Sequence, residues 1–134
     1  MKYSIDRKEK YSTMILEEPN LNSTVAPDVK STFIMLNSQG VRNLIFDMSE
    51  VDYMDSSGLS TLLTGNRIFS NTPGSFVVTN IKSDNVKKLF EISRLNAVLN
   101  IIPTQEESVD FVFMEELERD LRSGEGASED KPAE

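Results

Sequence analysis

Apolar residues in this chain fall into short clusters whose spacing changes period several times, and each change marks an element. Tyr3 and Ile5, followed by Tyr11 to Leu16, predict two strands joined by the charged turn Arg7-Lys8-Glu9-Lys10, an antiparallel hairpin. The polar stretch from Glu17 to Ser23 ends it. A helix is predicted from Ala26-Pro27, because proline suits a first turn; Val29, Phe33 and Leu36 form its apolar face, Ile34 and Met35 widen that face, and Gly40 closes the helix. Leu44 to Met48 reads as a buried strand, with apolar character carried on through Val51 and Tyr53-Met54. Leu59, Leu62 and Leu63 then take the i, i+3, i+4 spacing of a helix face, predicting a helix from near Ser56 to about Phe69, stopped by Asn71-Thr72-Pro73-Gly74.

The second half repeats this alternation. Ser75 to Thr79 is the next buried strand, and Ser83-Asp84 caps a helix whose inner face is Val86, Leu89 and Phe90, with Ser93 on the same line. Val98 to Ile102 is a last strand, ended by Pro103. Thr104-Gln105-Glu106-Glu107 is a capping box for a final helix with Val109, Val112, Phe113 and Leu117 on one face. The order β-β-α-β-α-β-α-β-α implies an α/β domain with about five strands in a mixed sheet and four helices, packed mainly on one face. It is expected over residues 1–121, with 122–134 as a disordered acidic tail rich in Gly, Ser and Glu.

With 134 residues, 38% of them hydrophobic and 27% charged, the chain fits one domain with a real core. The formal charge of −8 argues against sequence-independent affinity for nucleic acid or an anionic membrane and points to a protein partner. Cysteine and histidine are both absent. That removes disulfides, thiol nucleophiles, the imidazole base of a Ser-His-Asp hydrolase and the usual metal ligands, leaving only carboxylate-bound magnesium. Asp47 and Asp52 lack the lysine and second acidic cluster that such a magnesium pocket needs. No metal or cofactor is expected, and no apolar window is long enough for a membrane span or a leader, so the cytoplasm is the expected location.

The candidate chemistry lies in Asp55-Ser56-Ser57-Gly58, where the strand region breaks into a helix. Serine in a first turn is surrounded by free backbone N–H groups and the positive end of the helix dipole, a setting that favours phosphate. The same residues also read as an ordinary N-cap, with Asp55 accepting from the first-turn N–H groups and the serines merely tolerated. Local sequence leaves both readings open.

The run from Ile45 to Leu59, with Asp55-Ser56-Ser57-Gly58-Leu59 at its end, closely resembles the signature of STAS domains, specifically bacterial anti-sigma factor antagonists. Leu21-Asn22 with Ala26-Pro27, and Val86 to Leu95, add to the likeness, which covers roughly Met1 to Asp120. The resemblance implies a non-enzymatic partner switch. The unphosphorylated protein would bind an anti-sigma factor that is also a serine kinase, phosphorylation of Ser56 would release it, and a PP2C-type phosphatase would reset it. Ser57 is the alternative acceptor. Partner contacts are expected from Asn20, Asn22, Ser23, Asp55, Ser56, Ser57 and Gly58, and along the next helix from Ser60, Thr61 and Thr64. Pro19-Asn20-Leu21-Asn22 departs from the family's Gly-Glu-Leu/Ile-Asp by putting amides for both acids. A second function consistent with the resemblance is a scaffold or accessory subunit of a stressosome-like or lipid-transport complex, without sigma-factor control. A serine hydrolase is disfavoured by the missing histidine and the lack of a Gly-x-Ser-x-Gly elbow.

Overall fold

A computed structural model describes the backbone of residues 1–130 and side chains through Ser123. Strand β1 (Tyr3–Arg7) pairs antiparallel with β2 (Ser12–Leu16), so the expected hairpin is present, its turn closed by the Lys8 N–H donating to the Tyr11 carbonyl at 2.8 Å. Two residues, Asn20–Leu21, form β3, and helix α1 covers Ala26–Ser38. Then come β4 (Asn43–Asp47), the equally short β5 (Tyr53–Met54), α2 (Ser56–Asn71) and β6 (Ser75–Thr79). Helix α3 (Asp84–Ser93), a single 3-10 turn (Leu95–Ala97), β7 (Asn100–Ile102) and α4 (Gln105–Asp130) complete the chain.

The main sheet has the order β1-β2-β4-β6-β7, parallel except for the first pair. Alternation along its strands separates two apolar layers. Met14, Leu16, Leu44, Phe46, Phe76 and Val78 face the larger core beneath α1, α2 and α3. Phe33 of α1 sits at its centre, edge-on to Phe46 and to Phe76 with ring centroids 5.3 Å apart in each case. Such edge-to-face pairs each add about 0.5–1.5 kcal/mol beyond area burial. The other face is covered by α4, whose Val112 packs on Ile45 and Val77. Three helices on one face and one on the other is the expected distribution.

Helix α4 is rotated from the phase its apolar residues predict. Ser108 and Val112 are fully buried, whereas Phe113 and Leu117 are 45% and 52% exposed. The cause is polar anchoring. The Arg119 guanidinium donates to Ser75 Oγ at 3.2 Å, to Asn43 Oδ1 at 3.1 Å and to Glu116 at 2.9 Å, while Ser75 donates to Glu115 at 2.7 Å. These bonds tie the helix to the starts of β4 and β6 and turn Phe113 outward, against the edge of Tyr11. The Arg119 guanidinium also holds the Glu116 carboxyl below the usual glutamate range.

At its N-terminus, Thr104 Oγ1 accepts from the Glu107 N–H at 3.1 Å and donates to the Glu107 carboxylate at 2.9 Å, one half of the expected capping box. The last strand is shorter than its apolar run, because Val98 and Leu99 donate to the Leu95 carbonyl and close the 3-10 turn instead of joining the sheet. The segment expected as a tail, 122–134, begins within the continuous helix α4, and residues 131–134 lie outside the described residues.

Candidate functional site

Strands β3 and β5 have no counterpart among the predicted elements, and together they build the site. They pair parallel, Asn20 opposite Tyr53 and Leu21 opposite Met54. The Pro19 carbonyl accepts from Asp52 N–H at 2.8 Å and Tyr53 N–H at 3.0 Å, and the Leu21 carbonyl accepts from Asp55 N–H at 3.4 Å. Leu21 and Met54 anchor this ribbon in the larger core, leaving Asn20 and Tyr53 exposed. Asn20, Asn22 and Ser23 are thereby carried beside the start of α2.

Asn22 organises its own loop. Its side-chain oxygen accepts from Thr24 N–H at 3.0 Å and Val25 N–H at 3.3 Å, and its carbonyl accepts from Ala26 N–H at 2.8 Å. Both side-chain bonds need only an oxygen acceptor, which an amide supplies as well as a carboxylate does.

Asp55 is the N-cap of α2. Its backbone is extended, with φ −114° and ψ −168°, and its Oδ1 accepts from Ser57 N–H at 2.9 Å and Gly58 N–H at 3.4 Å. Ser56 occupies the first helical position with its side chain exposed, and Ser57 is half-buried. Gly58 is buried because the ribbon crosses directly over it: a Cβ there would stand 2.7 Å from the Leu21 carbonyl oxygen and collide with Met54 Cγ. Its contribution is steric, admitting the ribbon, and it offers a partner no surface.

The buried stripe of α2 is Gly58, Thr61, Leu62, Gly65 and Phe69, about one residue out of phase with the stripe Leu59, Leu62 and Leu63 predict. Small residues carry that stripe, since a Cβ at Gly65 would come within 2.7 Å of the Phe76 ring. Thr61 is consequently 0% exposed, its hydroxyl donating to the Ser57 carbonyl at 2.9 Å, and it is not part of the surface. Ser60 is exposed and Thr64 half-buried, its hydroxyl donating to the Ser60 carbonyl at 3.0 Å.

A surface cavity of about 440 Å³ brings Ser23, Ala26 and Pro27 together with Ser56, Ser57 and Ser60, and adds Lys30, which no local pattern singled out. The Lys30 ammonium donates to Ser60 Oγ at 3.3 Å. On the other side of Asp55 a second depression, about 260 Å³, is lined by Tyr53, Asn85, Lys88, Leu89 and Ile92. Tyr53 and Ile92 are 47% and 69% exposed, so the serine stands between a cavity carrying Lys30 and one that pairs Lys88 with exposed apolar surface. A larger cavity of about 540 Å³, around Phe90, Ile101 and Pro103, shares none of these residues.

Asp47, like Asp55, is engaged within the fold, whereas Asp52 is exposed. Asp47 is buried and accepts from Ser49 N–H at 2.8 Å and Asn80 Nδ2 at 2.8 Å. Among the described residues no group of three or more acids is placed to hold a metal, and no helix is long and apolar enough to cross a membrane.

A mixed, mostly parallel sheet flanked by helices on both faces, with an Asp-capped serine displayed at a helix start, defines a class. The STAS domain family model matches residues 4–108, and the chain belongs to that family. Solved structures similar to it include a putative anti-sigma factor antagonist of Thermotoga maritima, 20% identical over 82% of this chain and 93% of that one, with a TM-score of 0.72. An anti-sigma factor antagonist of Mycobacterium paratuberculosis is 16% identical over 83% and 92% of the two chains, with a TM-score of 0.73. The Bacillus cell fate determinant SpoIIAA in its phosphorylated form is 22% identical over 83% and 99%, with a TM-score of 0.64.

Proposed function

We propose that this protein is a non-enzymatic anti-sigma factor antagonist of the cytoplasm, switched by phosphate at Ser56. The observation that carries the reading is the division of labour between neighbours: Asp55 is consumed by its cap, while Ser56 is exposed at the positive end of a sixteen-residue helix. In the unmodified state the surface around Ser56 docks an anti-sigma factor with serine kinase activity. Contacts come from Asn20, Asn22 and Ser23 on the ribbon and its loop, and from Ser56, Ser57, Ser60 and Thr64 on α2. Ser57, half-buried and held through its backbone N–H, is the poorer acceptor.

Phosphorylation adds about −1.5 to −2 charges at neutral pH. The helix terminus accommodates that charge, so the fold persists. A docked partner does not accommodate it: a bulky dianion beside Asp52 and Asp55 brings like-charge repulsion and a desolvation penalty into the interface. Release follows without unfolding, and a PP2C-type phosphatase restores the docking surface. Similarity to anti-sigma factor antagonists of known structure supports this reading. A pull-down with wild type, Ser56→Ala and Ser56→Asp tests it: the kinase partner is retained by the first two and lost by the third. Retention by all three contradicts it.

A further inference from the structure

We infer that Lys30 is the internal counter-charge of the phosphorylated state: its ammonium leaves the Ser60 hydroxyl and pairs with a phosphate on Ser56. The inference rests on the reading of Ser56 as the phosphate acceptor. Ser56 and Ser60 are one helical turn apart and share a face of α2. Lys30 reaches that face from α1, with its Nζ 3.3 Å from Ser60 Oγ. Among the described residues it is the one charged side chain lining the cavity into which Ser56, Ser57 and Ser60 open. A neutral hydroxyl is a weak partner for an ammonium. A phosphate one turn away, with three oxygens and nearly two negative charges, is a much stronger one, and lysine's flexible stem lets it move between the two.

Two consequences follow for the switch. The pairing draws α1 and α2 together, so the modification is absorbed by the fold instead of straining it. It also withdraws a cation from the docking surface. Before phosphorylation Lys30 is available to a carboxylate of the partner; afterwards it is occupied within its own chain. One chemical event therefore adds an anion to the interface and removes a cation from it.

The test uses full-length protein carrying phosphoserine at position 56, installed during translation so that no kinase is required. The phosphate is titrated by phosphorus NMR in the wild-type, Lys30→Arg and Lys30→Met backgrounds. Asp52, Asp55 and Lys88, the other charged groups around the start of α2, are identical in all three. The second ionisation of the phosphate is expected about half a unit higher in Lys30→Met, and near the wild-type value in Lys30→Arg, where a cation is restored. Thermal unfolding of the unphosphorylated Lys30→Met protein, expected to match wild type, confirms an intact fold. Coincident titrations in all three backgrounds overturn the inference. That result leaves the pull-down untouched, so failure of the Lys30 pairing and failure of the Ser56 switch are told apart.

Discussion

Replacing Asp55 by alanine should destabilise the protein measurably, although the side chain buries no apolar surface. The cap bond to Ser57 N–H is short at 2.9 Å, while that to Gly58 N–H is long at 3.4 Å, so the loss is close to that of a single good cap, about 1 kcal/mol. Removing a carboxylate from the positive end of α2 adds about 0.3–1 kcal/mol. The sum, about 1.5 kcal/mol, corresponds to a melting temperature lower by about 4–8 °C for a domain of this size. Asp55→Asn keeps the acceptor oxygen and forfeits only the charge, so it should cost about 0.5 kcal/mol. Ser56→Ala, at an exposed position, should stay within about 0.5 kcal/mol of wild type. The chain has no tryptophan, so urea unfolding is best followed by far-UV circular dichroism, with a common denaturant slope required before midpoints are compared. An Asp55→Ala protein as stable as wild type, or a Ser56→Ala protein as unstable as Asp55→Ala, would refute the assignment of cap and displayed serine.

Other outcomes follow from the same geometry. Gly58→Ala places a Cβ 2.7 Å from the Leu21 carbonyl oxygen, so despite alanine's better helix propensity it should cost about 2 kcal/mol net, read in a thermal melt, and speed amide exchange at Tyr53 and Asp55. Glu116→Gln should lower stability at neutral pH. Because pairing with Arg119 depresses the folded-state pKa of Glu116, its contribution is present above the ordinary glutamate range and is lost as pH falls through the depressed value. The gap between wild type and Glu116→Gln in urea melts should therefore close on acidification, and a gap that widens would contradict the pairing.

Most of the architecture was legible because buried strands announce themselves as runs such as Leu44 to Met48, and because proline and glycine punctuate the helices. What escaped was structure without periodicity. A two-residue strand such as Asn20–Leu21, preceded by proline, has no alternation to read, and its pairing with Tyr53–Met54 exists only once both segments are anchored in the core. The phase of α2 lies about one residue from the face its leucines advertise, because Gly58, Thr61 and Gly65, which pack closest, look polar or neutral. In α4 the opposite holds: Phe113 and Leu117 look inward-facing, but the Arg119 network decides the rotation.

The candidate site divides in the same way. Asp55 and Ser56 were visible from residue type and position at a helix start. Ser23 joins Ser56 only through the ribbon, and Lys30 only through the packing of α1 on α2. No local pattern in sequence brings those four together.

The proposed switch at Ser56 abolishes docking while leaving the fold intact. Its most direct test is a calorimetric titration of the purified kinase partner with unmodified protein and with protein carrying phosphoserine at 56, alongside urea melts of both forms. Superimposable or slightly later unfolding is expected for the phosphorylated form, with an affinity at least about tenfold weaker, equivalent to about 1.4 kcal/mol or more. Equal affinities, or a loss of binding that tracks a loss of structure, would contradict it.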